Sequence, residues 1–119
     1  MEKHYPEITK NISANLRALR KDIADTMHGF SAMAQAATKD AVLDKKTKEL
    51  IALAIGVAAH CDGCVGFHSE APVKLGASRE DVAETLGMAI YMGGGPALMY
   101  VAEAIAAYEQ FRALHSPQA

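Results

Sequence analysis

Ten consecutive residues, Leu50 to Ala59, carry no charged or hydrogen-bonding side chain. That run is about half the ~20 residues a membrane-crossing helix requires, so it reads as a core helix and not a span. A helix that is apolar on every side must be surrounded. In a chain of 119 residues, the surface covering it is expected to include other copies of the chain as well as its own helices. Asp44 marks where this helix begins, because its carboxylate can accept the free N–H groups of a first turn and sits at the favourable end of the macrodipole. The helix is predicted over Lys45 to Ala59.

The remainder of the chain has the same character. Apolar residues recur at three-four spacing, β-branched runs are absent, and Ala, Leu, Met, Glu and Lys dominate, which predicts an all-α fold in one domain over residues 1–119. A first helix is expected from Ile8 to Met27, burying Ile12, Leu16, Leu19 and Ile23. Gly29 should interrupt it before a shorter helix from Ser31 to Thr38. Beyond the central helix, another is expected to end near Leu75 with Gly76 in the left-handed position that closes it. Ser78 and Asp81 form a capping-box-like start for the next, which runs to Met92. The Gly93-Gly94-Gly95-Pro96 break then leads into a last helix to Leu114, with Ala97, Val101, Ala104, Tyr108 and Phe111 on its packing face and Leu98 and Ile105 widening it. The tail from His115 to Ala119 is expected to fray.

Charge narrows the partners. The net charge is −2 and Lys and Arg are interspersed with acids, which gives nucleic acid no electrostatic footprint. The opening residues, Met1 to Pro6, show no basic stretch followed by an apolar block, so no signal peptide or membrane partner is expected and the location read is cytoplasmic. In that reducing setting, cysteines three positions apart point to chemistry or metal binding before structural stapling.

The two cysteines of the chain lie in the segment Cys61-Asp62-Gly63-Cys64, with Glu49 before it and His68 after it. Gly63 and Gly66 weaken helix locally, which places a turn at Cys61 and Asp62 and puts Cys64 in the first turn of the following helix. There the dipole and free N–H groups favour thiolate over thiol. His68, four residues on, shares a helix face with Cys64, with Cβ atoms ~6 Å apart, and its imidazole suits a group that takes and returns protons. Glu49 lies ~18 Å back along the helix before Cys61, and His68 ~10 Å along the returning one, leaving ~8 Å of axial offset. A Glu49–water–His68–Cys64 relay could bridge that offset; a solvated first-turn acid is the other reading of Glu49. Cys61 is close enough to close a disulfide with Cys64, which allows a cycle of sulfenic acid, disulfide and re-reduction. The spacing leaves open which sulfur attacks.

The same residues admit other readings. A zinc site could use Cys61, Cys64 and His68 with His60 or water, but closed structural sites draw on two separated pairs and this chain has one. Covalent haem attachment requires a histidine where Val65 stands. Inert core thiols fit poorly with His60, Asp62 and Gly63 around them. His60 itself reads as a helix-end residue facing the dipole. No metal and no cofactor is expected.

With Glu49, the Cys61/Cys64 pair, His68 and the Gly93–Pro96 break in register, the segment from Leu43 to Phe111 resembles the alkylhydroperoxidase D and carboxymuconolactone decarboxylase family. The resemblance implies an all-helical protein that assembles as trimers or hexamers. It implies Cys64 as the sulfenic acid former, Cys61 as its resolving partner and proton donor, and Glu49 with His68 as a proton relay. The activity implied is thiol-dependent reduction of a hydroperoxide, with a dithiol reductant as second substrate. The dithiol favours this branch over lactone decarboxylation at the same pocket; a redox-sensing interaction module is a further alternative. The chain is a single short unit where alkylhydroperoxidase D is duplicated, and Gly63 stands where some relatives carry histidine.

Overall fold

The computed structural model describes residues 2–116, and among these the chain is helical with no strand. Five helices follow in order: α1 (Tyr5–Asp22), α2 (Ala24–Thr38), α3 (Lys45–Ala58), α4 (Asp62–Lys74) and α5 (Arg79–His115). α3 is the hub, packed on α4 and α5, while α1 lies across α4 and α5. Leu53 and Val57 of α3, Val65 of α4, and Val82, Leu86, Ala104 and Phe111 of α5 form the centre of the core, each 1% exposed or less. Among the described residues, no helix is long and apolar enough to cross a membrane.

Helix boundaries follow local chemistry. The Asp44 carboxylate accepts the Thr47 N–H at 2.8 Å and caps α3. Ser78 and Asp81 close a reciprocal capping box at 3.0 and 2.9 Å. Gly76, at φ 82°, ends α4 in a Schellman motif: its N–H donates to the Val73 carbonyl, and Ala77 N–H donates to Pro72. Gly94 adopts φ 71°, ψ −153°, a conformation essentially reserved for glycine, and so kinks α5 at the expected break.

Four expectations need correction. The first break falls at Ile23, with φ −129° and ψ 55°, and not at Gly29, over which α2 runs without interruption. A glycine in an exposed helix costs only about 1 kcal/mol, too little to end one. The buried face of α1 is also shifted towards its start: Tyr5 and Thr9 are buried, while Leu19 and Ile23 are exposed, because α1 leaves the bundle in its second half. Leu98, expected to widen the last packing face, is 46% exposed. His115 does not fray: it closes α5 and its Nε2 lies 2.8 Å from Glu70 Oε2, whereas residues 117–119 lie outside the described residues.

Candidate active site

α3 ends in a second Schellman arrangement. His60 N–H donates to Val57 O and Cys61 N–H to Gly56 O, with His60 at φ 56° in the left-handed position that usually goes to glycine. His60 thus lies beyond the helix end instead of within its last turn, and its ring stacks on Tyr100 at 4.9 Å. The reversal delivers Cys61 to the N-cap of α4, where its Sγ accepts the Cys64 N–H at 3.2 Å. Cys64 occupies the first turn, and the two cysteines are joined as a disulfide with Cα atoms 5.2 Å apart.

Two glycines let the helices approach. A Cβ on Gly56 would come within 2.8 Å of Cys64 Cβ, so only a glycine allows α4 to rest this closely on α3 at the dithiol. A Cβ on Gly63 would come within 2.8 Å of the terminal Ile12 methyl on α1, so this glycine eases the contact between α4 and α1, although that methyl has freedom to turn aside.

Glu49 is buried, at 6% exposure, and its Oε2 lies 2.7 Å from His68 Nδ1. The two are in direct contact, and no bridging water is needed between them. The relevant offset runs from the Gly56/Cys64 contact: Glu49 is ~10 Å back along α3 and His68 ~6 Å along α4, a difference of about 4 Å that two side chains span. With Glu49 ionised, Nδ1–H donates to it and Nε2 is left as the proton acceptor, one helical turn from Cys64. The structure therefore pairs Glu49 with His68 and joins Cys61 to Cys64, with His68 four residues along α4 from Cys64. As a disulfide, the sulfurs offer no thiolate to a metal, and among the described residues no group of three or more His, Cys, Asp or Glu forms a metal cluster.

A neighbouring network carried no motif in the sequence. Lys3 Nζ pairs with Asp62 Oδ2 at 3.0 Å and with Glu103 Oε1 at 2.9 Å. The Tyr5 hydroxyl donates to Glu103 at 2.6 Å, and the Tyr100 hydroxyl donates to Asp62 Oδ1 at 3.1 Å. Gln110 ties the segment to α5, accepting the Tyr5 N–H and donating to the Lys3 carbonyl, each at 2.8 Å. Burial, then the bond to Glu103, push the Tyr5 phenol well above its ordinary range. The two carboxylates hold Lys3 firmly charged, Glu103 first and Asp62 second.

Comparison with known proteins places the chain among similar molecules. The sequence model described as the carboxymuconolactone decarboxylase family matches residues 24–107. An uncharacterized protein of Cupriavidus necator is 39% identical over 102 residues, covering 86% of this chain and 90% of its own length. The crystal structure of an apo carboxymuconolactone decarboxylase family protein from Legionella pneumophila is 60% identical with a TM-score of 0.89, over 91% of this chain and 96% of that one. A Thermotoga maritima structure, described as a carboxymuconolactone decarboxylase family protein with a possible part in antioxidative response, is 27% identical with a TM-score of 0.75. It covers 94% of this chain and 92% of its own.

Proposed function

Because the chain belongs to the carboxymuconolactone decarboxylase family, we propose that within it this protein is a thiol-dependent hydroperoxide reductase, acting in the cytoplasm. One observation carries the reading: a disulfide-forming pair at a helix N-terminus, one turn from an imidazole whose far nitrogen is held by a buried carboxylate. The antioxidative description of the Thermotoga relative points the same way.

In the reduced protein His68 Nε2 takes the Cys64 proton, and the thiolate attacks the terminal oxygen of the hydroperoxide. The O–O bond breaks, Cys64 becomes a sulfenic acid, and the leaving alkoxide takes the proton back as an alcohol. Cys61 then attacks the Cys64 sulfur; an S–S bond forms and the hydroxyl leaves as water. An external dithiol reduces that disulfide by exchange and is itself oxidised, which restores both thiols. The test is hydroperoxide consumption by the reduced protein with and without a dithiol, with mass analysis under thiol trapping. One equivalent should be consumed without reductant, leaving the Cys61–Cys64 disulfide, and many with it. A reduced pair that peroxide leaves unchanged refutes the reading.

The working unit is proposed to be a homo-oligomer, a trimer or hexamer. α2 has no buried residue, so in a single chain its Phe30 and Met33, each over 60% exposed, face solvent. Between α3 and α5, a wholly apolar groove is lined by Ala54, Ile55, Ala58, Met88, Ala89 and Met92. Ile55 and Ala58 lie ~100° and ~200° around α3 from Gly56, which faces Cys64, so the groove opens away from the dithiol. A second copy covering it would bury what one chain leaves bare. Native mass measurement is expected to give a multiple of the 12.7 kDa chain, unchanged on reduction; a monomer at micromolar concentration would refute this, and disassembly on reduction would favour a redox-sensing module.

A further inference from the structure

Asp62 opens α4 between the N-cap Cys61 and Cys64. A carboxylate is welcome at a helix N-terminus, but its charge opposes a second anion in the same turn, and the thiolate must form there. Asp62 is held by Lys3 at 3.0 Å and by the Tyr100 hydroxyl at 3.1 Å. Lys3 is itself fixed: Glu103 holds its amine at 2.9 Å, Gln110 holds its carbonyl at 2.8 Å, and the amine sits 5.5 Å above the Tyr100 ring. The proposed chemistry of Cys64 and His68 uses none of these contacts.

We propose that Lys3 is a positioning residue for the dithiol: through Asp62 it offsets the negative charge lodged between the two cysteines, so that the reduced pair keeps a thiolate ready at neutral pH. The titratable groups around this turn come from every element packed against it. They are Lys3 from the N-terminal segment, Tyr5 from α1, Glu49 from α3, His60 from the α3–α4 turn, His68 on α4, and Tyr100 and Glu103 from α5. Glu49 is engaged by His68, and Glu103 by Tyr5 and Lys3. Tyr5 and Tyr100 stay neutral donors, because hydrogen bonding to a carboxylate raises both phenols, with burial the larger cause for Tyr5. Lys3 is the permanent cation of the cluster.

The inference rests on the dithiol being the reactive group, but its test needs no peroxide. Thiolate absorbance of the reduced protein is followed against pH for wild type, Lys3→Met, Lys3→Arg, Asp62→Asn and the Lys3→Met/Asp62→Asn double variant, with helicity recorded for each. Lys3→Met should shift thiolate formation upwards by about half to one pH unit and slow alkylation at neutral pH about three- to ten-fold. Lys3→Arg should restore the wild-type curve, and Asp62→Asn should shift it downwards. In the Asp62→Asn background, Lys3→Met should have no further effect. No shift for Lys3→Met, or an equal shift with and without Asp62, overturns the proposal, since a packing role alone would not depend on the carboxylate. A protein that titrates as expected yet consumes no hydroperoxide would refute the proposed activity and leave this inference standing.

Discussion

Replacing Cys64 with serine is expected to bring hydroperoxide turnover down to the uncatalysed background. The attack needs a polarisable anion, and a serine hydroxyl does not ionise near neutral pH even at a helix N-terminus. The fold should tolerate the change, since Cys64 meets α3 through its Cβ at Gly56 and serine keeps that atom. Cys61→Ser should behave differently: one round of attack proceeds, a trapping reagent captures the Cys64 sulfenic acid, and cycling stops because no disulfide closes. The contrast is informative because the α4 N-terminus serves both sulfurs: Cys61 accepts the Cys64 N–H at 3.2 Å, so helix donors reach it too. If Cys61 were the attacker, the two phenotypes would exchange. Unchanged turnover in Cys64→Ser would sink the peroxidase reading, and activity surviving loss of both thiols would favour acid–base chemistry by Glu49 and His68.

The features legible in the sequence were those whose physics is closed within a few residues. A cap such as Asp44 or Ser78 bonds N–H groups three positions away, and the Gly76 turn needs only its own backbone freedom. The Cys64/His68 spacing is likewise fixed by helical pitch. The Glu49–His68 contact was half legible. The residue spacing marks the partners, but the offset between them is smaller than the Cys61 turn implies, because the helices meet where Gly56 admits Cys64. The Lys3–Asp62 contact, 59 positions apart, leaves no local signature, and neither does the bend at Ile23. Both depend on where α1 comes to lie against α4 and α5. The burial of Tyr5 and Thr9 in place of Leu19 and Ile23 has the same origin: periodicity defines a face of α1 but not how far along that face the bundle extends.

His68→Gln is expected to cut turnover by about 10²- to 10⁴-fold at neutral pH, the usual weight of a positioned general base. Part of the loss should return as pH rises, because bulk base then forms the thiolate that the imidazole no longer does. Glu49→Gln should cost less: the amide oxygen can still accept Nδ1–H and keep Nε2 facing outwards, but the charge that stabilises the imidazolium is gone. A fall in activity alone would not separate catalysis from folding, because Glu49 is only 6% exposed and His68 is its hydrogen-bond partner. Replacing the imidazole with a weaker, neutral amide donor to that buried carboxylate should destabilise His68→Gln by about 1–3 kcal/mol, read as a lower denaturant midpoint. The double variant Glu49→Gln/His68→Gln removes the buried charge and leaves two amides that can pair, so it should recover much of the midpoint while turnover stays low. Recovery of both together would make His68 a structural partner of Glu49 and leave activation of Cys64 to the helix N-terminus. Recovery of stability alone ties the lost activity to the missing proton acceptor.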